Sequence, residues 1–173
     1  MARPRTIPDE QIHAAVLRLI SEHGEKAAAF SAVARLTGLA APTLVQRFSS
    51  REGMVRAALS RLFDTLDARL AAAEADAPLN AKGAQALLKA LTDDDALFAP
   101  VQLLPIVLRD PVLRQRAAGW RAQVEQALVV RLGGGGKGRE AAALLFAAWQ
   151  GQRLWDGVGD KGFRLKDAVK ALS

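Results

Sequence analysis

The chain has 173 residues, half of them apolar, with no cysteine, no tyrosine and a net charge of +6. The missing cysteines exclude disulfides, thiolate metal centres and cysteine nucleophiles. No apolar run approaches the roughly 20 residues that span a bilayer, and MARPRTIPDEQ holds no signal-peptide core, so a soluble cytoplasmic protein is expected. The charge excess lies in the first third: residues 1–63 carry nine Arg/Lys against five Asp/Glu, residues 64–173 fifteen against thirteen. That asymmetry suits a polyanion partner. Helix-forming Ala, Leu and Arg are abundant and β-branched residues sparse, so an all-α fold is expected.

In chain order, residues 1–7 form a basic arm with Arg3 and Arg5. A helix follows from Pro8 to His23, with Thr6 and Asp9 as a capping box and Ile12, Val16, Leu19 and Ile20 as its apolar stripe. Gly24 ends it. A short helix opens at Ser31 and breaks at Gly38, and a third spans Ala41–Arg47 with Pro42 in its first turn. Ser49-Ser50-Arg51-Glu52 reads as a capping box, Ser49 to Glu52, for a long fourth helix ending before Pro78. Leu79–Leu91 is a fifth helix. Asp93-Asp94-Asp95 caps a sixth, Ala96–Arg109, kinked or split at Pro100 and Pro105. Asp110-Pro111 starts a seventh, running to Leu132. Gly133–Gly136 is a flexible break, Arg139–Trp155 an eighth helix, and Leu165–Leu172 a ninth, after the breaks at Gly157, Gly159 and Gly162.

Phe30–Phe48, FSAVARLTGLAAPTLVQRF, carries the functional signal. Ala34 is small enough for two helices to cross closely, and Gly38 supplies the turn between them. Val33, Leu36, Leu39, Leu44 and Phe48 are spaced to pack inward, which leaves Thr43, Gln46 and Arg47 outside. This is the pattern of a helix-turn-helix, whose second helix enters the DNA major groove. Thr43 and Gln46 are suited to base edges, Gln46 to adenine. Ala41, Pro42 and Val45 offer apolar contacts, and a thymine methyl suits Val45. Ser31, Arg35, Arg47 and Arg51 are suited to phosphates, and Arg3 and Arg5 to a groove or the backbone, reached from the arm.

Residues 8–60 resemble the DNA-binding domain of the tetracycline-repressor-like (TetR) regulators. The resemblance rests on the apolar first helix ending at Gly24, the Ala34…Gly38 turn, Pro42-Thr43-Leu44…Phe48, and Ser50-Arg51-Glu52 before Met54. It implies a ligand-responsive homodimeric repressor of double-stranded operator DNA. Its domains would be a three-helix DNA-binding domain at 1–50 and a helical effector-binding and dimerisation domain at 51–173. Phe98, Leu103, Leu104, Trp120, Phe146 and Trp149 read as plain core or as the lining of an apolar cavity; the resemblance implies an enclosed effector cavity there, with a mainly apolar compound as its occupant. Dimerisation would run through Arg139–Trp155 and the C-terminal helix, with Trp149 and its small-residue neighbours in the contact. The chain departs from the family at Val45, where a tyrosine is usual, and at Ala40, where a polar helix cap is usual.

Other chemistry is poorly supplied. His13 and His23, the only histidines, share no face with a carboxylate at metal spacing, so no metal and no cofactor are expected. Gly133–Arg139 lacks the Gly-Lys-Ser/Thr ending of a phosphate-binding loop. No nucleophile–base set or pocketed carboxylate pair suggests an enzyme. The rival reading is a helical small-molecule-binding or interaction protein that has lost DNA binding, favoured by Val45 and Ala40.

Overall fold

The computed structural model describes residues 7–92, 100–155, 158 and 164–172. Among them are nine α-helices and no strand: α1 Asp9–His23, α2 Phe30–Thr37, α3 Ala41–Phe48, α4 Arg51–Asp76, α5 Ala81–Thr92, α6 Pro100–Arg109, α7 Pro111–Arg131, α8 Gly135–Leu154 and α9 Leu165–Leu172, with a 3-10 turn at Glu25–Ala27. Arg3, Arg5, Thr6, Phe98, the Asp93–Asp95 run, Gly157, Gly159 and Gly162 lie outside the described residues.

The chain forms two compact units, residues 1–64 with 97–116, and residues 65–96 with 117–173. This differs from a division at residue 50, because the first half of α4, with α6 and the start of α7, packs among the N-terminal helices. In this first unit α1 packs against α2, the 3-10 turn and α6, while α2 packs against α3. Ile12, Val16 and Ile20 of α1, Val33 of α2, Leu44 of α3 and Met54 of α4 are all fully buried. Each contributes about 1.5–3 kcal/mol relative to exposure.

The helix ends show where local signals compete. Pro8 is the residue before α1 and supplies no side-chain cap. Ser50, not Ser49, caps α4: its Oγ accepts from the Gly53 amide at 2.9 Å. The Ser49 amide is spent on the Val45 carbonyl (2.8 Å), so it cannot meet Glu52. At α5 the cap is Asn80, whose Oδ1 accepts from Gly83 at 3.1 Å. The helix therefore starts at Ala81 and leaves Leu79 exposed. Asp110 caps α7 as expected, accepting from Val112 and Leu113. Helix α6 runs through Pro105 without being divided.

In the second unit α9 packs on α5 and α8. Helix α8 begins inside the glycine run, at Gly135 rather than Arg139. Gly138 explains this: it is buried, and a Cβ there would stand 3.3 Å from the Leu132 carbonyl and 3.5 Å from that of Val129. Packing of a bare backbone on the end of α7 outweighs the poor helix propensity of glycine.

Arg131 is the one buried charged residue among those described, 4 % exposed. Its guanidinium donates to the carbonyls of Ala127 (2.9 Å), Glu74 (2.9 Å) and Ala77 (3.0 Å). Residue 78 is proline, so the Glu74 carbonyl has no amide four residues on to accept from. A cation closes the end of α4, where the helix dipole also favours it. Nothing in local sequence flags this role.

Candidate nucleic-acid interface

The tight turn at residues 38–40 builds the interface. Gly38 sits at φ +73°, in the left-handed region, and its amide donates to the Ala34 carbonyl at 2.8 Å. An L side chain is disfavoured there, which explains the glycine between two helices of eight residues each. Helix α3 then lies with Leu44 fully buried, Phe48 half-buried and Ala41 partly covered. The Phe48 ring meets His13 of α1 at 6.0 Å between centroids.

The opposite side of α3 is open. Pro42, Thr43, Val45, Gln46 and Arg47 are exposed, as are Ser31 and Arg35 of α2. Helical geometry at 100° per residue places 42, 45 and 46 on one outward strip. Leu36, expected inside, is 47 % exposed. A two-turn helix buries a narrow stripe, and in α2 Val33 takes the inward position. No side chain caps α3, whose N-cap is Ala40.

The arginines divide by engagement. Arg47 is turned toward the start of α1, pairing with Asp9 (3.1 Å) and donating to the Ile7 carbonyl (3.2 Å). Arg51 is only 27 % exposed along its side chain and donates to the Glu25 carbonyl at 2.6 Å. It also pairs with the carboxylates of Glu25 and Glu52. Arg109 of α6 binds the other oxygen of Glu25, and Arg56 binds Asp110 at 2.6 Å. These charges rim an open groove of about 320 Å³ over Val55, Ile106 and Leu113. Its cations are already neutralised from within the unit. Arg35 makes no ion pair among the described residues. His13 is held below its ordinary value by burial, Asp9 and Glu10 opposing the shift and Arg61 and Arg47 adding to it. Both its ring nitrogens are buried without a partner.

The residues expected to line an effector cavity do not share one unit. Leu103 and Leu104 belong to the first, where Leu103 is buried and Leu104 about half-exposed. Trp120, Phe146 and Trp149 belong to the second and cluster there, with ring centroids 5.8–6.4 Å apart. Trp149, expected at a surface contact between copies, is 3 % exposed, and its Nε1 donates to Thr92 at 2.9 Å. On α8 the inward positions are Ala141, Ala142, Leu145, Phe146 and Trp149. The outward apolar ones are Leu144, Ala147 and Leu154, followed by Trp155. No cluster of His, Cys, Asp or Glu able to hold a metal occurs among the described residues, and none of their helices is long and apolar enough to cross a membrane.

A buried-backed, open-faced second helix after a glycine turn is the geometry of a helix-turn-helix. Residues 12–58 match the model of the bacterial regulatory proteins of the tetR family. That match is confined to the N-terminal segment, and solved structures of bacterial transcriptional regulators share the fold of nearly the whole chain. A transcriptional regulator from Rhodococcus sp. Rha1 is 23 % identical, with a TM-score of 0.77 over 96 % of this chain and 94 % of that one. The multidrug binding protein EbrR complexed with imidazole is 23 % identical (TM-score 0.69, 96 % and 93 %). The fatty acid degradation regulator FadR from Bacillus halodurans is 18 % identical (TM-score 0.69, 97 % and 94 %). No curated protein matches the sequence.

Proposed function

We propose that this protein is a ligand-responsive transcriptional repressor that binds operator DNA as a homodimer in the cytoplasm, without catalytic activity or a cofactor. The observation that carries the reading is α3 itself: Leu44 is wholly buried while Pro42, Thr43, Val45 and Gln46 face solvent. Thr43 and Gln46 meet base edges, with Ala41, Pro42 and Val45 as apolar contacts. Ser31 and Arg35, exposed on α2, bind phosphates, joined by Arg3 and Arg5. Arg47 and Arg51 join them by exchanging their present carboxylate and carbonyl partners for phosphate oxygens.

Two copies meet through the outward strip of α8 at Leu144, Ala147, Leu154 and Trp155, together with α9. Symmetry then sets the two α3 helices about 34 Å apart, in successive major grooves. An apolar or aromatic effector acts on the second unit, where Trp120, Phe146 and Trp149 offer stacking faces. The multidrug and fatty-acid connections of EbrR and FadR support an effector of that chemistry. Binding shifts the population between DNA-competent and incompetent dimers.

The test is fluorescence anisotropy with DNA from upstream of the gene, at two salt concentrations. A dimer neutralising roughly 6–10 phosphates should lose about 10³–10⁵ in affinity between about 50 and 200 mM salt. A flat salt dependence would sink the DNA-binding reading. The uncapped start of α3 at Ala40 favours the rival, a helical ligand carrier that has lost DNA binding. Ligand binding with no DNA affinity at any salt would establish that rival.

A further inference from the structure

We propose that α3 reads A·T base pairs, with Val45 seated on a thymine methyl group and Gln46 bonded to a neighbouring adenine. The proposal rests on the DNA-binding reading and specifies which bases that helix selects.

Three observations carry it. First, the outward strip of α3 is apolar apart from one amide. Pro42 is exposed, Ala41 partly so, and Val45 is 45 % exposed beside exposed Gln46. A large aliphatic side chain held out on a recognition helix, backed by a fully buried Leu44, has an apolar partner to gain only from a complementary surface. In the major groove the apolar group is the C5-methyl of thymine, which adenine, guanine and cytosine lack.

Second, the usual reader of guanine is withheld. Arginine spans guanine O6 and N7 with two donors. The one arginine on α3 is Arg47, and it points along the flank toward α1, fixed by Asp9 at 3.1 Å and the Ile7 carbonyl at 3.2 Å. Even when it exchanges these partners for a phosphate, Arg47 stays on that flank, away from the base edges under the outward strip. Third, the polar group that does share the strip with Val45 is the amide of Gln46. Its paired acceptor and donor match N6 and N7 of adenine. Adjacent positions 45 and 46 thus favour an adenine and a thymine methyl within one or two base steps.

The probe is a set of duplexes enriched by the purified full chain from a random-sequence pool, then rebuilt with single thymine→uracil replacements. Uracil removes the methyl and leaves every pairing group in place. In each half-site the α3 positions should be A·T. At one thymine the uracil replacement should weaken binding roughly fourfold, the fold-change equivalent of about 0.8 kcal/mol for one buried carbon. In Val45→Ala that loss should vanish, while the variant, altered at an exposed position, keeps the wild-type helical spectrum and melting curve. Gln46→Ala should flatten the preference at the adjoining adenine and leave the uracil effect intact.

A G·C consensus under α3, or uracil replacements without effect at every thymine, overturns the proposal. So does an unchanged uracil effect in Val45→Ala. Each of these leaves DNA binding itself in place. Failure to enrich any duplex instead removes the DNA-binding reading on which the proposal rests.

Discussion

Replacing Arg131 with methionine should cost this protein more stability than any single surface ion pair supplies. The side chain volume is kept roughly constant, so cavity formation is a small contribution. What is lost is the closure of α4: the carbonyls of Glu74 and Ala77 accept from Arg131 at 2.9 and 3.0 Å, and proline at 78 denies Glu74 its ordinary helical donor. Two buried acceptors left unsatisfied cost about 1–3 kcal/mol each, and relief from burying a guanidinium returns part of that. A net loss of about 2–4 kcal/mol corresponds to a fall in melting temperature of roughly 5–15 °C for a chain of this size. Arg131→Lys keeps the charge, but a single ammonium cannot span all three carbonyls, and it should fall between methionine and wild type. Arg18→Met is the control: its pair with Glu22 is exposed and worth under about 1 kcal/mol. The assay is thermal and guanidinium unfolding followed by circular dichroism, all variants at one protein concentration because the proposed dimerisation would contribute to the midpoint. If Arg131→Met melts within a degree of the Arg18→Met control, the carbonyls find other donors and the reasoning fails.

Three further outcomes are expected. Gly83→Ala should destabilise by about 3 kcal/mol or more, since its Cβ would stand 1.6 Å from the Pro78 carbonyl oxygen; Gly119→Ala, with nothing near its Cβ, should instead gain about 0.4–1 kcal/mol in the same denaturant titration. His13 is held below its ordinary value of 6.5 by burial, so its contribution is complete above that pH and is lost as pH falls from there through the depressed folded value. His13→Leu should flatten this slope in melting temperatures taken between pH 7 and 5, and a parallel pH profile for both proteins would refute it. Leu144→Glu, at a position 58 % exposed on α8, should yield monomer by light scattering at micromolar concentration. Persistence of a full dimer would place the interface elsewhere.

The helix order and the helix-turn-helix pattern were legible in the sequence because they rest on short-range chemistry. Apolar spacing in α1, a glycine between two short helices, and Asp110 before Pro111 each act within a few residues, and a linear reading sees them. The same reading misplaced the cap of α4 by one residue and the start of α5 by two. Ser49 and Ser50 offer the same hydroxyl, and only the backbone path out of α3 decides that the Ser49 amide goes to Val45. Leu36 reads as core by hydrophobicity, yet a two-turn helix has no second inward position for it.

Tertiary structure alone decided which charges are available and which aromatic residues are interior. Arg47 and Arg51 look alike in sequence as phosphate ligands, but their partners at Asp9, Ile7 and Glu25 lie 26 to 40 residues away. Trp149 reads equally well as an interface or a core residue, because one wide apolar helix surface has two sides; the folded unit turns it toward Thr92, Trp120 and Phe146 and leaves Leu144 outside. Arg131 carried no sequence signal at all, since its role is set by carbonyls orphaned by a proline 53 residues earlier. Periodicity records which side of a helix is apolar, a property of the helix itself. What covers that side, and which distant carbonyl or carboxylate holds a given cation, depends on chain closure over tens of residues, and only the packed structure determines it.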